Sequence, residues 1–567
     1  MKKLITLLIA LCVVFSLTAC DTGDPNAGTT EPTGTEPPVT EPKTTESTGT
    51  EPADTGPKTV ALCENWDFES GFFTPIHPGN SAGGHGVSYY LPNMYETLVE
   101  VKNGEITPAL AESWEISDDG LTYTFHLKEN VKFSDGSDFN AEVVKLNWDA
   151  LPGIMGQFNG AYGVTSTLIQ STEVIDTHTV ALHLTRPYYG VLNDLSIMSP
   201  MGVMGAAAYN EDMTLSDAVL TASFGTGPYM YAGNYDGTTY TFERNPHYHG
   251  EAPNVDRFTV TVITDPNAAV LALRSGEIDL LWGSRSVSYE AMTEFENDSN
   301  FKTLLDEKVQ NVKYLSFNVA KAPFNDAAVR NAAAMAIDKA SLCDTVFNGL
   351  VAPTNRLFPK SYPYCNTDAE GKGFDLEEAK RLLDAAGYVD TDGDGVREKD
   401  GSPLSVTLPY IADHVTSDNA MLFIADQLKA LGLDVTVAGM DQMSWFGVMM
   451  QGDWEISSFH TYGPSFDPYT IMSNMDVDMQ SDPCAWQVSL VLPDGKTIFK
   501  ELNASTDEDR IQEIYSYVLG EIYEHSILIP LYENYPPAIY NADKIASVDI
   551  NGSTYSDCVE VRRIELK

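Results

Sequence analysis

An α/β fold is what this sequence predicts, and three observations predict it. Apolar and polar residues alternate over short stretches early in the chain, the period-two mark of half-buried strands. Later, apolar residues share one face at helical spacing over ten or more positions. One such helix stops at Gly432 and a strand follows at once over 433–437. That helix–short turn–strand unit belongs to α/β proteins rather than to a β sandwich.

The elements can be justified in order. Met1-Lys2-Lys3 is a short basic start, and residues 4–17 are almost wholly apolar. The run is too short to span a bilayer comfortably and has the shape of a secretory signal. Leu17-Thr18-Ala19-Cys20 reads as a lipobox, which makes Cys20 the expected lipidation site. Residues 21–57 are Thr, Glu, Pro and Gly, with a five-residue repeat seen in Thr30-Glu31-Pro32 and Thr35-Glu36-Pro37. Such a segment buries too little surface to offset ordering entropy, and proline and like charge extend it. It reads as a tether between a lipid anchor and a folded body.

From residue 58 to 567 the pattern is globular. Leu121, Tyr123, Phe125 and Leu127 alternate after an Asp118-Asp119-Gly120 turn and read as a hairpin arm. Val180, Leu182 and Leu184 alternate likewise, and 240–243 and 257–263 read as strands. Asp375 is placed to cap a helix, with Glu378 completing a capping box. Leu376, Ala379, Leu382, Leu383 and Ala386 then share a face, and Gly387 ends it. A second helix covers 420–431.

Composition narrows the function classes. The chain has 567 residues, 43% apolar and 20% charged, enough for several domains. Its 81 acidic residues against 34 basic ones give a net charge of −47. So acidic a chain repels phosphate backbones, which argues against nucleic acid. A basic patch for anionic membranes is equally unexpected. Cys63, Cys343, Cys365, Cys484 and Cys558 form no C-x-x-C pair, so no zinc site or disulfide framework is indicated. A Cys343–Cys365 bridge stays open.

Several motifs have the composition of chemical sites. Gly79-Asn80-Ser81-Ala82-Gly83 matches a nucleophile elbow, but Pro75 and Pro78 before it and Gly84 and Gly86 after it replace the required strand and helix. Asp390-Thr391-Asp392-Gly393-Asp394-Gly395 opens like a calcium loop, yet Gly401 stands where a bidentate acid is required. It reads as a polar turn. His247 with His249, and His77 with His85, pair off in sequence but read as surface or hydrogen-bonded histidines. His460, Tyr462, Phe466 and Asp467 form an aromatic–acidic cluster that suits either a ligand pocket or a core edge. No P-loop lysine, Rossmann glycine run or H-E-x-x-H occurs. The residues favour binding over catalysis, and no enzyme activity is expected.

A set of segments carries a resemblance. Ala109-Leu110-Ala111-Glu112-Ser113-Trp114 leads into Ser117-Asp118-Asp119-Gly120-Leu121-Thr122-Tyr123-Thr124-Phe125, then Val131-Lys132-Phe133-Ser134-Asp135-Gly136. Gly225-Thr226-Gly227-Pro228-Tyr229, Arg244-Asn245-Pro246-His247-Tyr248 and Ser275-Gly276-Glu277-Ile278-Asp279 follow in order. Together they resemble the family 5 solute-binding proteins of ABC importers, the peptide and nickel class, over residues 60–560. The resemblance implies a two-lobed, periplasmic-binding-protein-like (type II) α/β fold with a hinge. Lobe I would take 58–282 with 529–567, and lobe II 283–528.

Two stretches look most like the nickel-binding members: Tyr188-Tyr189-Gly190-Val191-Leu192 and His460-Thr461-Tyr462-Gly463-Pro464-Ser465-Phe466-Asp467-Pro468. Those members hold a metal chelate with arginines and aromatic walls. The aligned arginine positions carry Ser199 and Gln157, a histidine position falls near Gln480, and the aromatic positions survive as Tyr462 and Phe466. Without two guanidiniums, the bidentate grip on chelator carboxylates is gone. Dipeptide binders place an ammonium-holding aspartate where Pro464 and Ser465 stand here. The resemblance thus implies Tyr462 and Phe466 as pocket walls, with Tyr89, Tyr90 and Trp445 as further walls. Asp467 would meet a ligand cation, and Ser199 and Gln157 would be polar contacts. No cofactor or protein-bound metal is expected.

A short peptide or amino-acid conjugate is the first expected ligand, and a nickel or other metal chelate the second. The expected partners are ABC permease and ATPase subunits, with the chain a monomer, outside the cytoplasm and lipid-anchored to the cell membrane. A sensory binding protein docking a receptor, and a secreted hydrolase using Ser81, are the competing classes.

Overall fold

A strand paired on both edges and covered on both faces must be apolar on both. Thr59–Glu64 is such a strand. It runs parallel to Arg257–Val262 and to Leu280–Trp282, and Val60, Leu62 and Cys63 are all buried. Antiparallel strands complete a seven-stranded sheet in the order Phe301–Leu305, Pro537–Asn541, Leu280–Trp282, Thr59–Glu64, Arg257–Val262, Thr239–Arg244, Tyr229–Tyr235. The computed structural model describes residues 56–567, apart from 67, 69–72, 78–85, 103, 161–162, 284–285, 413–414, 464–465, 480 and 551–557. The signal segment with Cys20, the tether up to residue 55, Ser81, His85 and Gln480 lie outside the described residues.

A four-stranded antiparallel sheet belongs to the same half, in the order Ala111–Ile116, Thr122–Leu127, Thr179–Leu184, Ile169–Asp176. Tyr123, Phe125 and Leu127 point inward and Thr122, Thr124 and His126 stay half-exposed, as alternation requires. Gly120 turns the hairpin at φ +66°, a left-handed conformation that glycine adopts without strain. One apolar core runs through both sheets, joining Phe125 and Trp148 to Phe242 and Val260.

The second half has its own four-stranded sheet, in the order Ala352–Pro353, Leu528–Asn534, Asn311–Phe317, Ile456–His460. Beside it, Ser405–Ile411 and Asp434–Met440 pair in parallel through the helix Val415–Leu431, a β–α–β unit. The helix begins five residues before the expected 420, and Gly432 ends it at φ +104°. Ser457 Oγ donates to the Pro409 carbonyl at 2.7 Å, tying the two groups of strands together.

The chain crosses between the halves at 306–310 and returns at 535–536. Phe301–Leu305 forms a five-pair ladder with Pro537–Asn541 in the first sheet, and Leu528–Asn534 pairs with Asn311–Phe317 in the second. Which sheet a strand joins is a long-range choice that its own residues do not display.

Local expectations differ in two details. Asp375 caps Leu376–Ala385 by accepting from Glu378 N at 2.9 Å. Its own N–H goes to the Met335 carbonyl and Glu378 pairs with Arg381, so only half of the capping box forms. Cys343 and Cys365 are buried and free, as are Cys63, Cys484 and Cys558. Among the described residues no helix is long and apolar enough to cross a membrane.

Candidate functional site

In a β–α–β unit the carboxyl end of the first strand and the amino end of the helix open onto one crevice. Here Ser405–Ile411 ends at Tyr410 and Ile411, and the helix Val415–Leu431 brings Ser417 and Met421 to the same place. Strand register supplies the rest. Lys313 lies directly opposite His460 on one side and Tyr532 on the other. Together with Ser458 and Phe459 these residues line a small pocket of about 30 Å³. That is room for two waters or for the oxygens of one carboxylate.

The polar groups of this pocket lean positive. Lys313 and His460 are half-buried cations or potential cations, and the helix amino end adds partial positive charge. His460 Nδ1 donates to the Thr461 carbonyl at 2.8 Å, which fixes the proton on that nitrogen. Ser458 is 8% exposed, and its hydroxyl has no hydrogen-bond partner among the described residues. The neighbouring acid, Asp418, accepts from Tyr410 Oη. Such an arrangement can hold an anionic head group.

The Tyr462 turn adjoins this pocket and is built differently. Tyr462 Oη donates to Asp482 and accepts from Asn474 Nδ2 at 3.1 Å. Asp482 also accepts from the N–H groups of Cys484 and Ala485, at 2.8 and 3.0 Å. Asp467 is 3% exposed and accepts from Tyr462 N at 3.1 Å and Gly463 N at 2.8 Å. Burial pushes its carboxyl up to about 7, against those donors and Thr461. Gly463, at φ +98°, folds the chain back so that both Asp467 oxygens meet main-chain amides. In this arrangement Asp467 holds the turn.

The remaining expected residues scatter. Tyr462 and Phe466 are half-buried on one turn, and the Tyr462 ring lies 6.4 Å from Phe459, edge to face. Trp445 is 1% exposed, stacks on Phe459 at 5.0 Å and donates to Ser457 Oγ at 3.0 Å. It supports the pocket wall from behind. Tyr90 is 1% exposed in the first-half core, with its hydroxyl on the Cys63 carbonyl. Tyr89 is half-buried beside Trp66, on the loop that follows the parallel strand Thr59–Glu64. Ser199 Oγ donates to the Pro75 carbonyl at 2.8 Å, and Gln157 is exposed. No hydrogen bond joins either of them to the Tyr462 turn among the described residues.

Lys313, Tyr410, Ser417 and Ser458 were not expected. A signal for two of them exists: a lysine in the largely buried strand NVKYLSF, and a serine pair in the buried strand ISSFH. The other motifs resolve locally. His249 pairs with Glu96 at 2.8 Å. Asp390, Asp392, Asp394 and Glu398 are the one group of metal-capable residues that converges among the described residues, within 4.8 Å. Asp390 there accepts from the amides of Gly393 and Gly395, and Glu398 from Thr391, as in a polar turn.

Comparison with known proteins decides the family. The model of the bacterial extracellular solute-binding proteins, family 5, middle region, matches residues 105–481. The chain belongs to family 5. Family 5 proteins are the solute-binding components of ABC importers of the peptide and nickel class. The nickel-binding periplasmic protein of Escherichia coli K12 is 30% identical over 454 residues, 78% of this chain and 85% of that protein. The glutathione-binding protein GsiB of the same organism is 28% identical over 343 residues, 60% of this chain and 62% of that one. Among solved structures, NikA of Brucella suis in complex with Fe(III)-EDTA superposes with TM-score 0.80 at 28% identity, covering 90% of this chain and 100% of that one. AppA of Bacillus subtilis, in complex with a nonapeptide, shares the fold at TM-score 0.69 and 19% identity, covering 90% and 100%. The two-lobed type II binding-protein fold expected from the sequence is thus the fold of this family 5 chain.

Proposed function

We propose that this chain captures a small ligand bearing a carboxylate, a short peptide or amino-acid conjugate, and presents it to ABC permease and ATPase subunits. One observation carries the reading: the pocket where Lys313, His460, the Ser458 hydroxyl and a helix amino end converge. Positively charged and hydroxyl groups recognise a carboxylate, and the aromatic rings of Phe459 and Tyr462 flank the body of a small ligand. Capture works by lobe closure, which shifts an open–closed equilibrium toward the state the permease recognises. The reading involves no turnover. It places a monomeric chain outside the cytoplasm, held to the cell membrane by lipid on Cys20 and spaced from it by the 21–57 tether.

A metal chelate, nickel first, is the second reading. The similarity to the nickel-binding protein favours it, and chelator carboxylates suit the same cations. Ser199 and Gln157 at the aligned arginine positions weigh against it. Native mass spectrometry with elemental analysis separates the two, on the chain from residue 21 after incubation in growth medium. A retained organic mass without metal supports the peptide reading. A stoichiometric transition metal with a chelator mass supports the second. Undiminished retention by a Lys313→Gln, His460→Gln double variant would remove this pocket from either reading.

A further inference from the structure

The segment after strand Thr179–Leu184 carries two adjacent tyrosines from the first half of the molecule into the second. Tyr188 is 1% exposed, and its hydroxyl lies 3.4 Å from Ser473 Oγ. Tyr189 Oη lies 2.9 Å from Tyr515 Oη. The Tyr189 ring sits 5.3 Å from Tyr469, 6.3 Å from Tyr515 and 6.4 Å from Tyr364, centroid to centroid. Tyr364 and Tyr515 are themselves 5.1 Å apart, and Tyr364 Oη donates to Glu508 at 2.6 Å. Three second-half tyrosines therefore form a socket for one first-half tyrosine, which packs against the cores of both halves.

A second observation connects this socket to the candidate site. The helix Tyr469–Asn474 presents Tyr469 to the Tyr189 ring and Ser473 to the Tyr188 hydroxyl. Its next residue, Asn474, donates to Tyr462 Oη. Ser473 Oγ also donates to Asn503 at 2.9 Å, fastening the helix to Gly495–Ala504. One short helix thus carries contacts to the opposite lobe and to the Tyr462 ring on neighbouring residues.

We propose that Tyr189, seconded by Tyr188, is the closure latch of this protein, a pair of positioning residues that hold the lobes together and set Tyr462 through the helix Tyr469–Asn474. Opening the lobes withdraws Tyr189 from its socket. That exposes an aromatic ring and separates a hydroxyl pair made in a low-dielectric seam. Closing reverses both changes, so the latch favours the closed state whether or not ligand is present. The latch rests on the two-lobed fold and not on which ligand is captured.

Pulsed electron-spin distance measurement tests it, on the chain from residue 21 unfolded, freed of ligand and refolded. Spin labels go on Ile175→Cys and Leu422→Cys, each 54% exposed and one in each lobe; the native cysteines with described positions are buried. The reference protein should show one short distance. Tyr189→Ala should raise the longer, open population about tenfold, and Tyr189→Phe by a smaller factor, with unchanged far-ultraviolet circular dichroism. Tyr515→Phe added to Tyr189→Phe should open the lobes no further, because both remove the same hydroxyl pair. Tyr235→Ala, at an exposed tyrosine of the same lobe, should change nothing. Identical distance distributions for the reference, Tyr189→Ala and Tyr189→Phe proteins overturn the proposal, as does an equal shift in Tyr235→Ala. If Tyr189→Ala does not fold, Tyr189→Phe decides alone. No ligand enters the experiment, so its failure leaves the capture reading standing.

Discussion

His460 and Tyr462 are two residues apart, yet they belong to polar clusters of opposite kinds. Around His460, the hydroxyl of Ser458 has no hydrogen-bond partner among the described residues, and Lys313 and the helix amino end add positive charge at a cavity. Around Tyr462, Asp467 and Asp482 turn their oxygens onto main-chain amides and the Tyr462 hydroxyl. The second cluster has the more conspicuous sequence, rich in acids and aromatics. The first lines a cavity. A ligand meets the polar groups that face open space, and a count of polar residues does not measure that.

Four measurements can break or sharpen this contrast. The largest effect is expected behind the pocket wall. Trp445→Ala empties a site that stacks on Phe459 and should cost about 3–5 kcal/mol in urea unfolding. A loss under 1 kcal/mol would mean that the wall is not built on Trp445.

Next comes the matched cluster. Asp467→Ala strands two buried N–H groups and should destabilise by roughly 2–3 kcal/mol in the same assay. If Asp467 were instead a ligand group, stability would hold and only ligand retention would fall.

The cluster at the cavity should respond the other way round. Lys313→Gln should move stability by no more than about 0.5 kcal/mol and cut retention of the co-purified ligand about 10- to 100-fold, read by native mass spectrometry. Lost stability with unchanged retention would make Lys313 a structural residue.

The smallest effect tests a buried acid that lies between the two kinds. Asp194 is fully buried; its Oδ2 accepts from Thr165 N and Oγ1 at 2.8 Å each, while Oδ1 has no partner. Burial raises its carboxyl to about 7, against the Thr165 donors. The unfolded carboxyl ionises near pH 4, so between about pH 4 and 7 the folded chain keeps a proton that the unfolded chain has released. The stability this confers is complete below about pH 4 and is lost as pH rises through 7. Asp467 adds a slope of the same sign. Asp194→Asn keeps an acceptor for Thr165 and removes the charge, so its melting temperature should fall less between pH 5 and pH 8 than that of the unsubstituted chain. Equal falls would show that Asp194 is not protonated in the folded protein.

Much of the fold was legible because its signals are local. Alternation at 121–127 marked a strand, Asp375 and Gly387 bracketed a helix, and Gly432 stopped another. The site was legible only in part. Tyr462 packs against Phe459 of the pocket lining and Trp445 stacks behind it, while Tyr90 lies in the first-half core and Ser199 bonds the Pro75 carbonyl. An aromatic ring suits a core and a pocket equally, and only its surroundings separate the two.

By itself, the sequence determined the α/β class, the family and the boundaries of a few elements with strong local signals. Periodicity, caps and glycine stops act over a few residues, and a family signature is read along the chain. Only the tertiary structure decided which polar groups line the pocket. Lys313 faces His460, 147 positions away, through antiparallel register, and Ser457 Oγ meets the Pro409 carbonyl while Ser458 beside it lines the pocket. Register and packing set those outcomes over long range, because a hydrogen bond is satisfied by whichever partner the fold brings within about 3 Å, not by the neighbours in sequence.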